Sequence, residues 1–203
     1  MPLTGKKMVI TGAAGGLGAG VARVAKRQGA EVVLLDVIED FQSDLGQTYS
    51  VDLTDSDNVE ACFEAIGPFD IVANIAGGFD MGPEVHQTDD ALWDALFDIN
   101  VTTLRRVLSA ATPRLLANGG GRIINVGAVG ALKGGPNMGA YLASKSVVMR
   151  LTESLSEEVK GHGINVNAVL PSVINTARNR QEMPDADFSL WVDPEDLGQV
   201  VCF

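Results

Sequence analysis

The sequence predicts an α/β fold: a doubly wound parallel sheet with helices on both faces, built as a single domain over residues 1–203. Three observations carry this. Six short apolar runs alternate with longer stretches of helical period, an order that gives parallel strands joined by right-handed crossovers. The runs are mostly apolar without strict alternation, as strands buried on both faces must be. The chain has 203 residues, 46% of them hydrophobic, which suits one domain with a substantial core.

The predicted elements follow in order. Met8–Thr11 is the first strand and Gly16–Gln28 the first helix, with a glycine-rich turn between them. Val32–Asp36 is the second strand. The stretch from Asp36 to Tyr49 is short and polar, so no full crossover helix is expected there. Tyr49–Asp52 is the third strand, and Ser56–Ile66 the second helix, capped by Thr54 or Ser56. Ile71–Asn74 is the fourth strand. Ala91–Leu116 is helical with a break near Asn100, Arg122–Val126 is the fifth strand, Tyr141–Lys160 a long helix and Ile164–Leu170 the sixth strand. A last helix begins near Pro194.

Bulk composition narrows the function. The net charge of -11 and the pI near 4.5 repel phosphate backbones and anionic lipid, so neither nucleic acid nor membrane is an expected partner. No apolar run approaches the ~20 residues of a membrane span, and Met1 to Lys7 leaves no room for a signal peptide, so a cytoplasmic protein is expected. Cys62 and Cys202 lack metal-ligand spacing and read as reduced thiols; His86 and His162 read as loop or surface residues, and no metal is expected.

The turn Thr11-Gly12-Ala13-Ala14-Gly15-Gly16-Leu17-Gly18 joins a strand to a helix. Glycines let backbone approach a pyrophosphate closely, and the helix N-terminus offers unpaired N–H groups and a positive dipole end. Glycines also make plain strand–helix turns, but here an acid, Asp36, follows eighteen residues after Gly18 at the end of the second strand. Its carboxylate suits ribose hydroxyls and repels a 2′-phosphate, and no Lys or Arg follows directly. NAD is therefore expected over NADP.

This pattern resembles the short-chain dehydrogenase/reductase family, a Rossmann-like fold, and further landmarks fall in family order. Asp52-Leu53 resembles the adenine-contacting pair. Asn74-Ile75-Ala76-Gly77 resembles the family's Asn-Asn-Ala-Gly segment, with Ile75 replacing the second Asn. Asn100 sits where a family Asn carries a water relay. Tyr141-Leu142-Ala143-Ser144-Lys145 matches Tyr-x-x-x-Lys, and Pro171-Ser172-Val173-Ile174-Asn175-Thr176 resembles the Pro-Gly segment, whose Ile and Thr positions hold the nicotinamide carboxamide. The resemblance implies hydride transfer to or from NAD with Tyr141 as general acid/base, and with Lys145 lowering the phenol pKa and binding the nicotinamide ribose. Gly12, Gly16, Leu17, Gly18, Asp36, Asn74, Ala76 and Gly77 would hold the cofactor, and the substrate would be a small molecule. Tyr and Lys four apart share one helix face, which suits a phenol that must ionise far below its free pKa of ~10.

One position departs from the pattern. The family's catalytic Ser lies thirteen residues before the Tyr, and here that position is Ala128. Losing such a donor typically costs about 2.7–4 kcal/mol, or 10²–10³ in rate. Either Asn125 or a backbone N–H replaces it, or the substrate needs less help. The stretches Gly134–Tyr141 and Asn179–Trp191 resemble dihydropteridine reductase, a family member with Ala in place of the Ser, which reduces a quinonoid pterin with NADH. That reading places Ala128, Met138, Met183 and Trp191 at the substrate, with Arg178–Pro194 as a lid. A non-catalytic NAD-binding scaffold or sensor is the third reading, against which Tyr141 and Lys145 weigh. Family members usually continue past this point into a final edge strand, so the resemblance implies a sheet lacking it here. They commonly pair the helices equivalent to Asn100–Leu116 and Tyr141–Lys160 between subunits. Val147, Val148, Leu151, Leu155 and Val159 fall on more than one face, so a homodimer or homotetramer is expected.

Overall fold

A computed structural model describes residues 2–203. The chain runs β1 (Lys7–Thr11), α1 (Gly16–Arg27), β2 (Glu31–Asp36), β3 (Gln47–Ser50), α2 (Ser56–Ile66), β4 (Ile71–Asn74), α3 (Asp90–Phe97), α4 (Thr103–Ala117), β5 (Gly121–Val126), α5 (Gly139–Val159), β6 (Ile164–Val169), α6 (Ala177–Glu182) and α7 (Pro194–Val201). The six strands pair in parallel in the order β3-β2-β1-β4-β5-β6. Strand order reverses between β1 and β4, so the crevice beyond their C-terminal ends is where a ligand is accepted in such sheets.

Each sheet face has its own core. Met8, Ile10 and Leu34 pack under Val21 and Val24 of α1 and Leu197 of α7. On the other face Val9, Val33, Val72 and Ile123 pack under Phe63 of α2 and Val107 and Leu115 of α4. Helix α7 lies directly on α1: a methyl group on Gly20 would come within 2.7 Å of Pro194 Cβ. Glu195 then takes Arg23 at 2.6 Å and Arg27 at 2.7 Å. On α5, Val148 and Val159 are buried, while Val147, Leu151 and Leu155 are half-buried. No helix among the described residues is long and apolar enough to cross a membrane.

No helix forms between β2 and β3, as the polar connection predicts. Two local expectations are corrected, and the expected break near Asn100 is found. Strand β3 is Gln47–Ser50 rather than Tyr49–Asp52, because Gln47 and Thr48 pair with Val33 and Leu34, and ladder bonds use backbone whatever the side chains. Helix α2 is capped by Asp55 rather than Thr54 or Ser56. Its Oδ1 accepts from the Asp57 and Asn58 N–H groups at 2.8 and 3.1 Å, whereas the Thr54 hydroxyl is spent on Asp52 at 2.7 Å. The break near Asn100 is a π-helical turn, Asp98–Thr102, inserted between α3 and α4.

Candidate functional site

The glycine turn lies in the crevice at the C-terminal end of β1, and its shape needs glycine. Gly12 has φ +63°, and a methyl group there would lie 2.8 Å from Ala76 Cα; one on Gly18 would lie 2.2 Å from the Gly12 carbonyl oxygen. A methyl on Gly16 would meet Thr176 at 2.9 Å, which puts the segment after β6 against the same turn. Helix α1 begins at Gly15 with no side-chain cap and no acidic residue in its first turn. Helices α2, α3, α6 and α7 instead have Asp55, Asp89, Thr176 and Asp193 as side-chain caps. The first turn of α1, containing Gly16, Leu17 and Gly18, therefore keeps its N–H groups for a ligand anion. A dinucleotide pyrophosphate fits this cradle. The Leu17 side chain itself is buried in the core.

Asp36 ends β2 beside this turn. Its Oδ2 accepts the Ala14 N–H at 2.9 Å and its Oδ1 the Ile38 N–H at 3.4 Å, while Ala13 N–H bonds the Leu35 carbonyl at 3.1 Å. Asp52 is exposed and holds Thr54; Leu53 is buried in the core behind it. Asn74, Ala76 and Gly77 follow β4. Asn74 Nδ2 donates to Asn125 Oδ1 at 2.8 Å, and Asn125 Nδ2 donates to Thr152 Oγ1 at 2.8 Å. Both ends of the Asn125 amide are thus spent on β4 and α5. Asn125 is not free to replace the missing serine, and that expectation is corrected.

Tyr141 and Lys145 lie one turn apart on α5. Lys145 is 6% exposed and donates to the Val126 carbonyl at 3.0 Å. Burial pushes its ammonium down to about 8. Tyr141 is half-buried, and burial raises its phenol above the ordinary value. Desolvation disfavours the phenolate here, and the Lys145 ammonium is turned to the Val126 carbonyl. Asn100, in the π turn, is 2% exposed. Its Oδ1 accepts the Gly78 N–H at 3.0 Å, and its Nδ2 donates to the Gly78 carbonyl at 3.0 Å and to Ser144 Oγ at 3.1 Å. Its side chain is a clamp between the loop after β4 and α5.

Ala128 is buried in the bend after β5. Met138 precedes α5 and, with Asp80, Thr88, Leu96 and Asn137, lines a narrow recess beside Tyr141. Pro171 accepts the Val129 N–H at 3.1 Å. Ile174 forms a bridge with Val192 and packs on the core. The Thr176 hydroxyl caps α6 through the Asn179 N–H at 3.2 Å, which leaves its methyl toward Gly16. The stretch 178–194 holds α6, a short 3₁₀ turn and the start of α7. Met183 is half-buried at the end of α6. Trp191 packs on Phe188 at 4.7 Å, with the Arg180 guanidinium 4.8 Å from the Phe188 ring centre, so this aromatic pair folds the segment on itself. The recess beside Tyr141 is lined by neither Met183 nor Trp191.

Three residues escape sequence reasoning. Thr11 Oγ1 accepts both the Ile75 and Ala76 N–H groups at 3.0 Å and so sets the distance between the glycine turn and the loop after β4. Ser144 carries the Asn100 clamp and donates to the Tyr141 carbonyl at 2.7 Å. Phe79 packs edge-on against Tyr141, ring centres 4.9 Å apart. The only signal in the sequence was their position next to motif residues.

Comparison with known proteins gives a consistent picture. The family model for short chain dehydrogenase matches residues 6–187. Sorbitol dehydrogenase of Cereibacter sphaeroides is 34% identical, over 86% of this chain and 73% of that protein. 2-(S)-Hydroxypropyl-CoM dehydrogenase 3 of Xanthobacter autotrophicus is 29% identical, over 99% and 89%. The structure of carveol dehydrogenase from Mycobacterium avium in complex with NAD superposes with a TM-score of 0.88 at 28% identity, covering 100% of this chain and 91% of that one.

Proposed function

Because the chain belongs to the short-chain dehydrogenase/reductase family and is an oxidoreductase, we propose that it is NAD(H)-dependent and acts on a small carbonyl or alcohol substrate. One observation carries this reading. The segment Ala76–Gly77 touches both halves of the site: a methyl on Gly12 of the cradle would strike Ala76, and one on Gly77 would lie 3.1 Å from Lys145 Nζ. The nucleotide cradle and the Tyr141–Lys145 face are thus built against one short stretch of backbone.

The cradle of Gly12, Gly16, Leu17 and Gly18 would hold the pyrophosphate, and Asp36 the adenosine ribose. Asp52 and Leu53 would flank the adenine; Asn74, Ala76, Pro171, Ile174 and Thr176 would line the nicotinamide half. Bound there, NAD would supply or accept the hydride. Tyr141 gives its hydroxyl proton to the substrate oxygen in reduction and takes it back in oxidation. A phenol raised by burial stays protonated, so a proton is at hand for reduction, but burial makes it a weaker donor; both the acid and the base role need the phenolate stabilised by Lys145 once its ammonium turns from Val126 toward the ribose and the phenol. Asn100 keeps Gly77–Gly78 against Lys145, and the segment 178–194 acts as a lid that excludes water.

The relatives' names, sorbitol and carveol dehydrogenase among them, support an alcohol or carbonyl substrate. Ala128, with Asn125 engaged elsewhere, favours a second reading: a quinonoid substrate such as a pterin, in which charge spreads over a conjugated ring and the missing hydroxyl matters less. Turnover with NAD(H) of alcohols and ketones against quinonoid dihydropterin separates them, wild type beside Ala128→Ser and Tyr141→Phe. A gain of about 10-fold or more on ketones in Ala128→Ser favours the first reading, and activity confined to the pterin the second. Turnover that survives in Tyr141→Phe removes the assigned acid/base.

A further inference from the structure

The geometry points to Phe79 as a positioning residue of the Tyr141 site: pinned beside a clamped glycine pair, its ring seals one side of the phenol from water. The Phe79 and Tyr141 rings stand at 89° with centres 4.9 Å apart. An edge-on contact of this kind fixes ring orientation as well as burying area.

Phe79 has little freedom to leave. Gly78, just before it, is gripped at both its N–H and its carbonyl by the Asn100 amide, each at 3.0 Å. Gly77 lies so close to Asn100 Oδ1 and Lys145 Nζ that a methyl group would fall 2.9 and 3.1 Å from them. Past Phe79, the Gly82 N–H bonds the Asn137 carbonyl at 2.9 Å, which ties the far end of the segment to the turn leading into α5. The Arg178 guanidinium approaches the Phe79 carbonyl from α6 at 3.5 Å. Elements distant in sequence thus converge to hold one aromatic ring against the phenol.

The consequence is chemical. Burial is the cause of the raised phenol, although charged groups stand near: Lys145 one turn along α5, Asp80 next to Phe79, and Arg178 on α6. The Lys145 ammonium faces the Val126 carbonyl, and Arg178 is paired with Glu182 at 2.7 Å. Burial therefore governs the phenol, and Phe79 is the aromatic ring packed against it.

This assignment rests on the reading of Tyr141 as the acid/base, but its test needs neither substrate nor cofactor. The chain has two tyrosines, so Tyr49→Phe leaves Tyr141 alone. In that background, 3-fluorotyrosine ionises at lower pH than tyrosine, and its ¹⁹F resonance reports the phenol in the range where the fold, checked by circular dichroism, persists. Phe79→Ala is expected to admit water and lower the titration midpoint by about half a pH unit or more, roughly a threefold fall in proton affinity. Phe79→Leu, which keeps apolar cover, is expected to retain most of the raised midpoint. An unchanged or higher midpoint in Phe79→Ala, or a Phe79→Leu midpoint as low as that of Phe79→Ala, overturns the assignment. Failure of the enzyme reading would instead appear as absent turnover with the midpoint shift intact.

Discussion

At Lys145 burial and chemistry pull in opposite directions. Its side chain is buried, its ammonium has one carbonyl partner at 3.0 Å and is pushed from its ordinary 10.5 down to about 8. Between those values the unfolded chain binds a proton that the folded chain does not, so this group makes stability rise with pH through that window, and its full cost is present below about pH 8. Lys145→Met is therefore expected to unfold in urea with about 1–3 kcal/mol more stability than wild type at pH 7, while losing turnover. The advantage should shrink toward pH 10, and no advantage at pH 7 would contradict the argument. The one-turn separation of Tyr141 and Lys145 on α5 was expected from their spacing, and their proposed role from the glycine turn upstream and the motif resemblance. Phe79, Thr11 and Ser144 were not legible: Thr11 meets its two partners 64 and 65 residues away, and such contacts exist only once the sheet has formed. Asn125 misled for the same reason, since its partners sit on other elements.

Among the elements, the strand–turn–helix over residues 7–27 was readable almost residue by residue, because glycine positions and apolar period speak locally. The glycines there are not equivalent to those elsewhere. Gly18→Ala would drive a methyl within 2.2 Å of the Gly12 carbonyl and 2.7 Å of Ala13 Cα, both backbone atoms that can move only by deforming the cradle. It is expected to weaken NADH binding by roughly tenfold or more and to cost about 1–3 kcal/mol in unfolding. Gly134→Ala, with nothing within 4 Å, should change neither, and equal effects at the two positions would count against the cradle. The cap of α2 and the register of β3 were misplaced because several neighbouring residues were competent. Asp52 settles the first by engaging the Thr54 hydroxyl, and pairing with β2 settles the second. The break near Asn100 was visible, but its π form was not, since sequence period does not report one extra residue in a turn.

For the molecule as a whole, alternation of strand and helix foretold the parallel sheet, and the motif residues gather at the C-terminal ends of its strands. Alternation did not foretell that α7 returns to lie on α1. That packing depends on two small residues, Gly20 and Gly198, and on Glu195 between two arginines. Helix α7 fixes the C-terminal end of the segment 178–194, and Val192 just before it closes the segment on its start, its N–H meeting the Val173 carbonyl at 2.9 Å and its carbonyl the Asn175 N–H at 2.8 Å. The ends of this segment therefore adjoin the glycine turn and α1 at Gly16 and Gly20, beside the crevice whose ligand decides the function. The most direct measurement is a fluorescence titration of the whole chain with NADH and with NADPH, in wild type and in Asp36→Ala. Saturable NADH binding at least about tenfold tighter than NADPH binding, with that preference lost in Asp36→Ala, is the expected result. Binding of neither nucleotide, or a preference for NADPH, would contradict it.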